Sequence, residues 1–176
     1  MMSLSGKPVS QTYVAFSAIL PRCLLVQIGL KGFLVMFSLV TAHLRRRADL
    51  LFGGHYDQIA AQYSYPLPMY LGTTRVIVRN PDEACSILCL LRAAYLERGV
   101  IALQPLVTAV DLPRDGRFRA WVDWHELARS AQESRASSVV YYCKSIPTGL
   151  RTEMINCARP SMPELNPHFA ALALSA

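Results

Sequence analysis

The first 47 residues contain no acidic residue, and the acid-free stretch ends only at Asp49. Lys7, Arg22, Lys31, Arg45, Arg46 and Arg47 all precede it, and these six account for the whole formal charge of +6. Downstream, the remaining basic residues are balanced by the 12 acids, so the rest of the chain is formally neutral. With no basic stripe there to meet phosphates, a nucleic-acid partner is not expected. The five cysteines, Cys23, Cys85, Cys89, Cys143 and Cys157, form no C-x-x-C and do not cluster with the four histidines at metal-ligand spacing. No metal site is therefore expected. The chain also lacks a glycine-rich phosphate loop, so no nucleotide or other cofactor is expected. Reduced cysteines used as small core hydrophobes suit a reducing compartment, which points to the cytoplasm.

What is present is apolar: 52% of the 176 residues are hydrophobic, enough for one core and too many for a disordered chain. Residues 24–43, LLVQIGLKGFLVMFSLVTAH, form the one stretch with bilayer-spanning length, and the following arginines would lie on the cytoplasmic side. Its eleven Leu, Ile, Val and Phe residues favour insertion by roughly 5 kcal/mol, against about 3 for the central Lys31, with Gln27 and His43 adding cost. An inner-membrane anchor is thus the marginal alternative to a cytoplasmic protein. A cleavable signal fits worse, because Pro21 and Arg22 break the apolar region early and the arginines lie on its far side. Another reading is that residues 1–47 arise from a wrongly chosen start codon, since capped and periodic sequence begins only near Asp49. A tryptic peptide from residues 8–22 in the native protein rules that out.

Residues 48–168 read as one domain, followed by a tail at 169–176. A helix is expected over residues 49–63, where Leu51, Phe52, Tyr56, Ile59, Ala60 and Tyr63 recur at helical spacing. Pro66 and Pro68 make the YPLPMY stretch an extended edge segment, and Gly72 turns the chain into a short strand at 75–79. The next helix has both ends written in: Asn80 as N-cap, Pro81 at the first position, Glu83 for a capping box and Gly99 just past the end. Four strands follow at about 100–112, 117–128, 137–145 and 150–158. Tight turns at 113–116 and 146–149 join two of the pairs, and a longer polar connection at 129–136 joins the third. From Pro160 the tail should be extended, with 169–176 too short for a helix unless docked.

Helices first and an antiparallel meander afterwards predict an α+β fold, with a curved antiparallel sheet wrapped around N-terminal helices. The order of YPLPMY, the NPDEA-capped helix and the segments RFRAWVDWHEL, SSVVYYCK and GLRTEMINCAR resembles the nuclear transport factor 2-like, or SnoaL-like, superfamily over residues 50–160. The resemblance implies a cystatin-like cone with a pocket between helices and concave sheet, and frequent dimerisation. It also spans isomerases, dehydratases and polyketide cyclases as well as non-catalytic dimerisation modules, so it does not choose a function.

Asp123 and His125 are the candidate acid/base pair, because i and i+2 on a strand share a face and a carboxylate can orient an imidazole. Tyr56 could add a hydrogen-bond donor. Tyr63, Trp124, Tyr142 and Glu153 are the candidates for lining the pocket. Alternation sets a condition on these. Phe118, Ala120, Val122 and Trp124 share one face of the strand, and Arg119, Trp121, Asp123 and His125 the other. If the apolar set meets the helices, the polar set forms an outer face suited to a homodimer, since Trp and Arg are enriched at interfaces. The expected protein is a homodimer binding a small apolar ligand, and the alternatives are a cofactor-independent acid/base enzyme or a dimerisation module.

Overall fold

In the computed structural model, the described backbone covers residues 20–129 and 135–174, and the described side chains residues 34–129 and 135–171. Residues 130–134 of the polar connection and residues 1–19 lie outside the described residues. The chain divides into a unit Met1–Leu34 and a compact unit Val35–Ala176. The described part of the first unit is helical from Leu20. Among the described residues no helix is long and apolar enough to cross a membrane.

Helix α1 runs Leu20–Gly53. Within the compact unit, Val40, Leu44, Arg47, Ala48 and Leu51 recur at helical spacing and are buried. Helix residues N-terminal to Ala48 thus contribute to the core of this unit, because core membership follows helical phase and not the charge asymmetry of the sequence. The helix ends where Gly54, at φ 77°, takes the left-handed conformation open to glycine. The N–H of Gly54 then bonds to Leu51 O at 3.1 Å and that of His55 to Leu50 O at 2.9 Å. This paired closure of a helix C-terminus splits the single helix expected over 49–63. A short α2 (Tyr56–Ala60) follows it.

Strands β1 (Leu67–Leu71) and β2 (Thr74–Val78) form a hairpin. The edge lies one strand later than expected: β2 is outermost, and β1 sits between β2 and the last strand. Pro68 is tolerated there because parallel pairing of β1 starts only at Met69. Helix α3 (Pro81–Glu97) has the ends the sequence specifies. Asn80 Oδ1 accepts the Glu83 N–H at 2.9 Å. The buried Glu83 carboxylate in turn accepts the Arg79 N–H at 2.8 Å, one residue ahead of the usual capping-box donor.

Strands β3 (Val100–Val110), β4 (Arg117–Ala128), β5 (Ala136–Ile146) and β6 (Gly149–Arg159) form the antiparallel meander. The order across the six-stranded sheet is β2-β1-β6-β5-β4-β3, in which β1 and β6 pair in parallel and the other neighbours antiparallel. Asp115 and Gly116, at φ 52° and 76°, make a two-residue hairpin between Arg114 and Arg117. The C-terminal stretch is not extended. A 3₁₀ turn (Pro163–Leu165) leads into α4 (Asn166–Leu174), with Met162 and Phe169 buried. A helix this short holds because it is docked against β2 and α3.

Candidate functional site

A cavity of about 140 Å³ lies between the concave sheet face and the helices. Helix α1 contributes Arg47 and Leu51, α3 contributes Ala84 and Leu88, the sheet contributes Trp124 and Tyr141, and the C-terminal turn and helix close it with Met162 and Phe169. Strand alternation aims the sheet residues: Phe118, Ala120, Val122 and Trp124 of β4 are buried, while their neighbours Trp121, Asp123 and His125 are half-exposed.

The polar groups of the cavity are few and connected. Trp124 Nε1 donates to the Tyr141 hydroxyl at 3.0 Å, and Arg47 Nη2 donates to the Tyr63 hydroxyl. The Arg47 guanidinium carbon stands 4.9 Å from the Tyr63 ring centroid and 5.1 Å from that of Tyr141, so the cation lies against both aromatic faces. Tyr63 itself is fixed through the main chain, since Ser64 N–H bonds to Thr152 O and Thr152 N–H to Gln62 O, each at 2.8 Å. Burial pushes the Tyr63 phenol above its ordinary pKa and that of Tyr141 up to about 12, and Arg47 opposes both shifts. Burial is the largest influence on the Arg47 pKa and lowers it, but the ionised forms of Tyr63, Tyr141, Cys143 and Tyr65 together outweigh it at high pH and the net shift is upward. Two buried polar atoms on the lining have no partner: Arg47 Nη1 and Asn166 Oδ1. The Asn166 Nδ2 group donates to Leu71 O at 3.0 Å. Among the described residues no Asp, Glu or His side chain lines the cavity, and no group of three such residues or cysteines gathers to hold a metal ion.

Of the candidates drawn from sequence, Tyr63 and Trp124 line this cavity. Asp123 and His125 do not: they share the outer sheet face, where Asp123 Oδ1 accepts the Ser138 hydroxyl at 2.6 Å and Arg159 donates to Ser138 Oγ at 2.8 Å. Tyr56 borders an open groove among α2, α3 and α4, beside Cys85, Cys89 and His168. Tyr142 also faces outward, since the burial of β5 alternates through Val139, Tyr141 and Cys143, and the cavity's tyrosine is its neighbour Tyr141. Glu153 lies where a register shift interrupts the β5–β6 pairing, and it accepts from Arg117 at 2.8 and 3.2 Å on the outer face. Sequence reasoning misses Arg47, Tyr141 and Asn166. The signal for Arg47 is its place in the Val40–Leu44–Leu51 stripe, masked by the run Arg45-Arg46-Arg47.

This is the cystatin-like, nuclear transport factor 2-like fold: helices packed on a curved, open sheet around a cone-shaped interior. No protein-family model matches the sequence, and no curated protein matches it either. Solved structures do. A domain of unknown function with a cystatin-like fold from Nostoc punctiforme superposes with a TM-score of 0.54 at 17% identity, covering 70% of this chain and 76% of that one. An NTF2-like protein with a cystatin-like fold from Novosphingobium aromaticivorans gives 0.52 at 10% identity over 88% of this chain and 98% of that one. ActVI-ORFA from Streptomyces coelicolor gives 0.52 at 11% identity over 70% and 94%. At such identities the likeness concerns the fold alone.

Proposed function

We propose that this domain binds a small apolar molecule in its interior. The observation that carries the reading is the cavity of about 140 Å³, which has apolar walls and a few converging polar groups. An engineered cavity of about 150 Å³ in another protein takes up benzene, so the available space matches a single-ring or short-chain ligand. The lining favours binding over acid/base chemistry, since the ionisable pair Asp123 and His125 stands on the other side of the sheet. Titrating the full-length chain with benzyl alcohol should give saturable quenching of Trp124 emission. Ala84→Leu, which fills the cavity from α3, should abolish it. Absence of saturable binding by the unsubstituted protein would refute the reading.

The outer sheet face supports the homodimer as part of the same proposal. It carries Trp121 beneath the Arg119 guanidinium at 5.0 Å, with Leu106 exposed beside Asp123. Light scattering at micromolar concentration should give twice the chain mass, and a monomer mass would count against it.

A further inference from the structure

One charge in the core has no counter-ion. Arg47 is only 9% exposed and lines the cavity, and among the described residues it meets no carboxylate. Its partners are neutral: a hydroxyl and two aromatic rings, with Nη1 bonded to nothing. The cation cannot escape by deprotonation, because a guanidinium keeps its proton in proteins. Nor do the tyrosines supply an anion at neutral pH, since burial holds both phenols protonated. A buried cation left in this state is costly to the fold, and a ligand that brings the missing negative charge removes the cost.

We propose, resting on the pocket reading above, that the cavity ligand is a small aromatic or short-chain monocarboxylate whose anion pairs with Arg47. A singly charged anion fits better than a phosphate, because among the described residues no second basic side chain lines the cavity and the remaining walls are mostly apolar. A planar carboxylate also matches the donors: Nη1 is free, and Nη2 keeps a second N–H besides the one given to Tyr63. The ring or chain of the acid would lie along Leu51, Leu88 and Met162, which hold the volume of one benzene-sized group.

The test is a calorimetric titration of the full-length chain with benzoate and with its neutral counterpart, benzyl alcohol. Benzoate should bind at least about tenfold more tightly, as expected for a charge-assisted hydrogen bond made out of water. Arg47→Met should erase that preference while keeping benzyl alcohol binding, which also reports that the variant is folded. Arg47→Lys, with the charge but not the fork, should retain part of the preference. Equal affinities for the two probes, or benzoate binding unchanged in Arg47→Met, would overturn the assignment of the anion and leave the apolar pocket standing. If benzyl alcohol does not bind the unsubstituted protein, the apolar-pocket reading itself falls, whatever benzoate does. Should Arg47→Met not fold, comparing the two probes on the unsubstituted protein decides alone.

Discussion

Replacing Arg47 and Tyr63 together by Met and Phe should stabilise the ligand-free protein. The double change is chosen because Arg47→Met alone would leave the buried Tyr63 hydroxyl without its donor, at a cost of about 1–3 kcal/mol. Burying an ion costs several kcal/mol even after the protein relaxes. Against this stand two contacts between the cation and aromatic faces, at 4.9 and 5.1 Å, each contributing about 1–2 kcal/mol when desolvated. One hydrogen bond from a charged donor adds about 1.5–3 kcal/mol. The unpartnered Nη1 subtracts from that total. These terms nearly cancel, and the direction follows from replacing a buried ion by apolar side chains of similar volume, which is commonly neutral or stabilising by about 1–4 kcal/mol. Met and Phe keep most of the volume and remove both the charge and the hydroxyl, so a gain of about 1–3 kcal/mol is expected. For a chain of this size that is a rise in Tm of roughly 3–10 °C. Urea unfolding followed by far-ultraviolet circular dichroism should show a higher midpoint with an unchanged slope. A loss of more than about 2 kcal/mol would refute the reasoning, because it would mean that Arg47 belongs to a satisfied structural network rather than to an unfilled binding site.

Two further outcomes follow from buried titrating groups. Burial, and then the charges of Arg47 and Arg46, lower the His43 pKa from 6.5 to about 4, so the native state favours the neutral ring. Its contribution to stability is therefore complete above pH 6.5 and is lost as pH falls toward 4. His43→Gln should flatten that limb of the stability profile by about 1–2 kcal/mol, allowing for the ring's partial exposure, and an identical acid limb in the variant would contradict this. The cysteines should separate by reactivity. Burial pushes the Cys143 and Cys157 thiols up to about 11, whereas Cys89 is exposed on α3. Iodoacetamide at neutral pH should label Cys89 in the native protein and reach Cys143 and Cys157 only after denaturation, read by peptide mass spectrometry. Native labelling of those two at the rate of Cys89 would show that the concave sheet face is open to solvent.

Legibility in the sequence follows the range over which each signal acts. Asn80, Pro81 and Gly99 write both ends of α3, and strand β4 is bounded at Arg117 and Ala128, because caps, turns and period-2 alternation are local. Alternation also separates Trp124 from Asp123 and His125, although by itself it does not say which set meets the helices. Tertiary context decides the rest. Cys89, expected in the core, is exposed, since the buried stripe of α3 passes through Ala84, Ile87, Leu88 and Tyr95. The C-terminal helix exists because Met162 and Phe169 find a docking surface, which no window of local sequence contains.

Arg47 is hidden for a different reason. In the run Arg45-Arg46-Arg47 the three side chains leave the helix about 100° apart, so their adjacency in sequence says nothing of a common environment. Arg45 and Arg46 are exposed, and only Arg47 falls four residues before Leu51 and three after Leu44 on the buried stripe. A charge run read as a solvated flank and an apolar stripe read as core therefore share one residue, and helical phase, not composition, decides which description governs it. The same phase gives that residue a reason to be functional. An arginine on a core stripe lowers stability unless something neutralises it, and among the described residues the groups around Arg47 include no carboxylate, which is what the proposed anionic ligand would supply.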